Sequence, residues 1–328
     1  MTVSRKINLV QKNQCMSIEQ KPRLGISSCL LGHAVRYDGG HKNNRFIAQK
    51  LSHRFLFQAY CPEMAAGLGV PRQPIHLIDR GAEIHAVHVK DERIDVTERL
   101  QAPFKEQLPW LRDLSGYIVK KDSPSCGMER VKVYQGKMAQ KRGTGLFTRA
   151  LLAQFPILPV EEEGRLKDPL LCENFIQRVE IYHHWQQLEA KGLSKKTLLA
   201  FHTRYKLTLL SHSQSTYKTL GRLLSQLNTP DFDKLCADYI YQLMQALSKI
   251  ASRKNHVNVL QHLQGFLKPH IDAGDKAELT HIIMQYRQGV LPLIVPVTLL
   301  NHWFRKYPHP YVEQAAYLEP KQHYRPMH

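Results

Sequence analysis

From Arg23 to about Pro159, short apolar runs alternate with segments rich in turn residues. Residues 24–28 form a strand candidate that ends at Cys29. Residues 55–60 lead into Cys61 in the same way, and Gly-Tyr-Ile-Val-Lys over 116–120 precedes Cys126. The stretches 42–54 and 102–114 are long enough for helices. Strands alternating with helices predict an α/β domain with a largely parallel sheet, and in such sheets ligands sit beyond the carboxyl ends of the strands. All three cysteines fall at such ends.

The pattern changes near Leu170. Phe232, Leu235, Tyr239, Leu243, Leu247 and Ile250 recur at helical spacing, as do Val257, Leu260, Leu263 and Leu267. Pro230 and Asp231 stand where a helix would begin, and Gly265 is expected to interrupt another. The second half therefore reads as all-helical, with about five to seven helices. The acidic run Glu161-Glu162-Glu163-Gly164 reads as part of the linker between the halves. The expected division is a loose tail over residues 1–21, an α/β domain over 22–165 and a helical domain over 170–328. There is no internal repeat and no low-complexity tract.

Composition narrows the function classes. With 328 residues, 43% of them hydrophobic, the chain can build two cores and is not a disordered segment. Its longest apolar stretch, 290–300, is broken by Pro292 and Pro296 and falls short of the roughly 20 residues a spanning helix needs. The first twenty residues lack the apolar core of a secretory signal, so a cytoplasmic protein without a membrane partner is expected. Lys and Arg number 46 against 28 acids, a formal net charge of +18. Both halves share it, with 27 basic and 17 acidic residues over 1–172 and 19 and 11 over 173–328. So positive a surface attracts polyanions, and nucleic acid is the expected one. Nothing in the sequence calls for an obligate protein partner.

Six cysteines are present: Cys15, Cys29, Cys61, Cys126, Cys172 and Cys236. Reducing cytosol disfavours a disulfide framework, which leaves buried thiols, metal ligands or nucleophiles. Three lie in distinctive settings: Ile26-Ser27-Ser28-Cys29-Leu30-Leu31-Gly32, Cys61-Pro62-Glu63-Met64-Ala65-Ala66-Gly67, and Ser123-Pro124-Ser125-Cys126-Gly127. Their separations of 32 and 65 residues match neither a zinc ribbon nor a ferredoxin. Spacing alone thus favours three unrelated cysteines over one ligand set. Three thiolates converging at strand ends could hold three irons of a [4Fe–4S] cluster and leave the fourth open for a soft sulfur donor.

These segments resemble the thiouracil desulfidase family. Ser-Ser-Cys-Leu-Leu-Gly followed by Val35-Arg36-Tyr37-Asp38-Gly39 is similar to its opening motif, Cys61-Pro62-Glu63 through Gly67 and Pro71-Arg72 to its second, and Ser123-Pro124-Ser125-Cys126-Gly127 to its third. The likeness spans about residues 23–160. It implies a Rossmann-like three-layer α/β/α domain and a [4Fe–4S] cluster held by Cys29, Cys61 and Cys126. It also implies one open iron that takes sulfur from a thiolated base, with Glu63 and Ser123 as acid–base residues. Phe201-His202-Thr203-Arg204-Tyr205-Lys206-Leu207, Leu210-Ser211-His212-Ser213 and Tyr217-Lys218-Thr219-Leu220-Gly221 resemble a helical domain often fused to this one. Such fusions resemble RNA desulfidases that return 4-thiouridine in tRNA to uridine with release of hydrosulfide. Desulfidation of a free thiouracil base, or a non-enzymatic iron–sulfur sensor that binds nucleic acid, are the alternatives.

Individual residues carry competing roles. A carboxylate at Glu63 could activate water or cap the helix after Pro62. A hydroxyl at Ser123 could donate to a developing anion, while Ser125 is expected to shape the loop. Asp38 could orient its loop, beside Arg36, and Arg72 could bind a phosphate or a base carbonyl. Arg204, Lys206, Lys218 and Arg222 are candidate phosphate contacts, with His202 and His212 as helpers, against a solvated face as the ordinary alternative. Tyr205, Tyr217 and Cys236 are expected in the core.

Overall fold

The computed structural model describes residues 21–319 apart from residue 82. Of the expected N-terminal tail over 1–21, residues 1–20, with Cys15, lie outside the described residues. The chain forms two compact units. One runs to Gln154 and takes in Val160–Gly164; the other comprises Phe155–Pro159 and the chain from Arg165 onward.

The first unit contains, in chain order, β1 (Arg23–Ser27), β2 (Leu56–Tyr60), α1 (Pro62–Ala65), β3 (Ile75–Asp79), β4 (Ile84–His88), α2 (Thr97–Gln101), α3 (Phe104–Leu111), β5 (Gly116–Val119), β6 (Val131–Gln135), β7 (Met138–Gly143), α4 (Leu146–Gln154) and β8 (Val160–Glu162). Four strands make a parallel sheet in the order β2-β1-β5-β8. Strand order reverses at β1, which places the crevice of such a sheet at the carboxyl ends of β1 and its neighbours. The strands expected before Cys29, Cys61 and Cys126 are β1, β2 and β5. A second, mixed sheet in the order β4-β3-β6-β7 was not foreseen. Its core of Leu77, Ala86, Val96, Leu100, Val131, Val133 and Leu146 is separate from that of the parallel sheet.

Three local expectations are corrected. Residues 42–54 form no regular α-helix: a wide turn over Phe46–Lys50 is followed by a tight one over Leu51–His53. The start of this segment is tied to the Cys29 turn, Lys42 N–H donating to the Cys29 carbonyl (2.8 Å) and Asn44 N–H to that of Leu30 (2.9 Å). Residues 102–114 carry only α3, which starts after Pro103, because proline cannot continue the hydrogen bonding of α2. The acidic run is no linker, since Glu161 and Glu162 lie in β8 and Glu161, Glu162 and Glu163 are all buried.

The second unit is helical. It comprises α5 (Pro169–Ala190), α6 (Lys195–His212), α7 (Gln214–Leu224), α8 (Phe232–Leu247), α9 (Arg253–Leu267), α10 (Ala273–Gln288), α11 (Ile294–Lys306) and the short α12 (Pro310–Glu313). Side-chain caps start most of them: Asp168, Ser194, Ser213, Asp231, Ser252 and Asp272 each accept a first-turn amide. Gly265 does not interrupt α9, whose apolar stripe of Val257, Leu260, Leu263 and Leu267 runs through it. Ile250 lies beyond the end of α8 and is exposed, so the stripe stops at Leu247. Among the described residues no helix is long and apolar enough to cross a membrane.

Gly25 in β1 is required by the ring packed against it: an added Cβ would lie 2.3 Å from Tyr117 Cδ2. Gly25→Ala is expected to cost about 1–3 kcal/mol, the scale of overpacking a close-packed core. A thermal melt of the full chain should show an earlier first transition, while an unchanged melt would mean that the ring has room to move.

Candidate active site

The three sequence motifs converge on one cavity of about 360 Å³. Cys29, Cys61 and Cys126 line it, together with Glu63, Ser123, Arg36, Arg72, Tyr60, Lys42 and Lys120. The convergence follows from strand register. Ser27 of β1 pairs with Tyr60 of β2, so Cys29 and Cys61 follow two adjacent strands at the same edge. Cys29 sits in a tight turn closed by Gly32 in the left-handed region (φ 95°). Cys61 is the residue before α1, whose first position is Pro62, a favoured start.

Cys126 sits in the loop that leaves β5. Ser123 Oγ accepts from the amides of Ser125 (3.3 Å) and Cys126 (3.1 Å), and Thr148 Oγ1 donates to the Cys126 carbonyl (2.6 Å). Gly145 lets the start of α4 touch this loop, since a Cβ there would meet Cys126 N at 2.6 Å.

Burial pushes all three thiols up. Cys29 is raised to about 11, by burial first and then by Cys61, against the pull of Lys120 and Arg36. Burial also raises Cys61, opposed by the Met64 amide, and raises Cys126 far above its ordinary value, opposed by a hydrogen bond with Ser27. Such thiols are poor free nucleophiles, whereas a coordinated thiol loses its proton outright. Beside them the fully buried Tyr117 hydroxyl has no hydrogen-bond partner among the described residues. After burial itself, the groups that raise its pKa are Cys126, Tyr60, Cys61 and Cys29. Three thiols and an orphaned hydroxyl fit a sulfur-rich group. Among the described residues no three His, Cys, Asp or Glu side chains could hold a single metal ion, whereas a cluster takes its thiolates at separate irons.

Glu63 is held from two sides. Its Oε2 accepts from Arg72 Nε (2.9 Å) and Nη2, and its Oε1 accepts from the Ser125 hydroxyl (2.9 Å). The two serines thus differ from expectation in emphasis. Ser123 builds the Cys126 turn while facing the cavity, and the fully buried Ser125 is the one that touches Glu63. Arg72 also donates to the carbonyls of Gly69 (2.8 Å) and Val35 (2.9 Å) and to Met64 Sδ (3.8 Å). Its five N–H groups are spent within the protein, so its direct action is on Glu63. Asp38 accepts from the Gly40 amide (3.0 Å) and pairs with Arg36 (3.5 Å), closing the turn beside the cavity.

Sequence reasoning missed Ser27, Tyr60, Lys42 and Lys120 at this site, and Glu162 and Glu163 behind it. Lys120 Nζ lies 2.6 Å from Glu163 Oε1. The available signal was position: Ser27 and Tyr60 end β1 and β2, and Lys120 follows β5, the strands that deliver the cysteines.

The model of the family described as 2-thiouracil desulfurase matches residues 24–163, and that of a domain described as a protein of unknown function, DUF1722, matches residues 206–321. The chain is 34% identical to YbgA of Escherichia coli K12 over 143 residues, 43% of this chain and 85% of that protein. It is 31% identical to YbbK of Bacillus subtilis 168 over 151 residues, 44% of this chain and 98% of that protein. The chain belongs to the 2-thiouracil desulfurase family. Among solved structures, a chain described as the [4Fe-4S]-dependent thiouracil desulfidase TudS is 32% identical, covering 44% of this chain and 93% of its own, with a TM-score of 0.35. Membership of the 2-thiouracil desulfurase family makes this an enzyme that cleaves a C–S bond, fused to a helical domain.

In the helical unit the candidate RNA contacts divide. Arg204 pairs with Glu319 (2.8 Å), and Lys206 lies over the Tyr311 ring at 4.1 Å, so both serve packing within the unit. Lys218 and Arg222 lie exposed on α7. His202 bonds the Tyr239 hydroxyl (3.0 Å) and His212 the Lys249 carbonyl (2.6 Å). Tyr205, Tyr217 and Cys236 pack in the core as expected. Burial lowers His202 from its ordinary 6.5 to about 4, helped by Lys206. The unfolded chain therefore binds the extra proton, and the stability this histidine contributes is full above 6.5 and is lost as pH falls toward 4. Melting temperature should fall across that window, and His202→Gln should flatten the fall. An identical pH profile in the variant would contradict the assignment.

Proposed function

We propose that the chain is a [4Fe–4S]-dependent desulfidase that converts 4-thiouridine in tRNA to uridine in the cytoplasm and releases the sulfur as hydrosulfide. The observation that carries the chemistry is that Cys29, Cys61, Cys126, Glu63 and Ser123 line one cavity. The three thiolates would hold the cluster, the cofactor named for the solved thiouracil desulfidase, and leave one iron without a protein ligand. When bound, the cluster supplies that iron as a soft Lewis acid for the thiocarbonyl sulfur.

The chain's own groups handle the protons. Glu63 takes a proton from water as the water oxygen bonds to the thiocarbonyl carbon. As the C–S bond breaks, the proton held by Glu63 passes to the departing sulfur, which leaves as hydrosulfide, and the second water proton is released to solvent, with no net change of oxidation state. The Ser123 hydroxyl, positioned by its two amide bonds, donates to the negative charge that develops on the base. Arg72 and Ser125 fix the Glu63 carboxylate, so its orientation does not depend on substrate. Glu63→Gln is expected to lower kcat by about 10²–10⁴ with the cluster's visible absorbance unchanged. A variant as fast as the parent would remove Glu63 from the mechanism.

The RNA part of this reading rests on charge. The net charge is +18, and Lys218 and Arg222 present cations four residues apart on an exposed helix face. Phosphate contacts make affinity fall steeply with salt, and chemistry on a base requires it unstacked. The test compares anaerobic turnover of tRNA bearing 4-thiouridine with that of free 4-thiouracil. Higher kcat/KM on tRNA, lost as salt rises, is expected. Equal efficiency on both would overturn the tRNA assignment and leave a small-molecule desulfidase.

A further inference from the structure

We infer that Glu162 and Glu163 are positioning residues for Cys126, clasping both ends of its loop so that the third thiolate meets the other two. This rests on the reading of Cys126 as a cluster ligand. The loop from Lys120 to Arg130 leaves the sheet after β5 and rejoins structure at β6, with Asp122 (φ 58°) and Arg130 (φ 57°) both in the left-handed region. Left-handed backbone is uncommon away from glycine, more so for Arg130 than for Asp122, so the loop needs outside support to keep one shape.

That support comes from the end of β8. Glu163 Oε2 accepts from the Lys121 amide (2.7 Å) and Oε1 from Lys120 Nζ (2.6 Å), five and six residues before the cysteine. Glu162 Oε1 accepts from the amides of Met128 (2.9 Å) and Glu129 (3.4 Å), two and three residues after it. Both glutamates are buried, at 7% and 8% exposure, where hydrogen bonds from amides to a carboxylate are strong and their loss leaves amides unpaired. Gly164 completes the approach, since a Cβ there would lie 2.8 Å from Lys121 Cδ. Among the described residues β8 joins the sheet only through β5, pairing Val119 with Glu162. The strand that borders the ligand loop thus also fixes its two ends, and the thiol's place depends on carboxylates 36 and 37 residues further along the chain.

The experiment uses the full chain, reconstituted anaerobically with iron and sulfide. It reads the visible spectrum of the cluster, bound iron, and the rate of iron loss to a chelator for the parent, Glu162→Ala, Glu162→Gln and Leu77→Ala. Leu77 lies in the core of the other sheet and serves as a control for general destabilisation. Glu162→Ala is expected to lose iron about tenfold faster, while Glu162→Gln, which keeps an amide acceptor, recovers most of the parent's retention. Hydrogen exchange on the cluster-free chain should show Met128 deprotected by Glu162→Ala and not by Leu77→Ala. Iron loss from Glu162→Ala no faster than from Leu77→Ala would overturn the positioning role. A parent that takes up no cluster would instead overturn the cofactor reading on which this inference rests.

Discussion

Parallel pairing of β2, β1 and β5 is the constraint from which the site follows. Parallel strands end at the same edge, so residues far apart in sequence leave the sheet side by side. Cys29 and Cys61 need only the step from strand to turn to face each other. Cys126 needs a loop, and that loop is held by Ser123 within, by the start of α4 at Gly145, and by the two buried glutamates at the end of β8. An antiparallel neighbour at β1 would send one thiol to the far end of the sheet.

A second layer of order surrounds the carboxylate. Glu63 is paired with Arg72, which in turn reaches the carbonyls of Val35 and Gly69, while Ser125 joins Glu63 to the Cys126 loop. The acid–base group and the thiols are therefore not independent. Ser125 precedes Cys126 by one residue, so a shift of that loop moves both the third ligand and the partner of Glu63. This coupling is a reason for so much buried hydrogen bonding in a loop of few residues.

The strands before the three cysteines, the helical second half and the cap at Asp231 were legible because each depends on local pattern. What was not legible depended on partners far along the chain. Three consecutive glutamates carry the local signature of a solvated linker, yet β5 supplies a pairing edge and the Cys126 loop supplies amides, which together make their burial favourable. Gly265 has no steric need to end α9, because apolar residues on either side pack against the same core. Arg204 and Lys206 looked like Lys218 and Arg222 in sequence, and only the fold separates cations committed to Glu319 and Tyr311 from cations facing solvent. The second sheet was missed because its two hairpins, β3-β4 and β6-β7, are separated by α2, α3 and β5 of the parallel sheet, and local alternation does not show that they pair with each other.

The most direct test of this account asks whether the three thiols form one site. Full-length protein and the three single variants Cys29→Ala, Cys61→Ala and Cys126→Ala would be reconstituted anaerobically, and iron and acid-labile sulfide counted per chain. The account predicts about four of each in the parent and a marked loss in every variant, with Cys172→Ala and Cys236→Ala unaffected. Full retention of iron and sulfide after removal of any one of the three would contradict it.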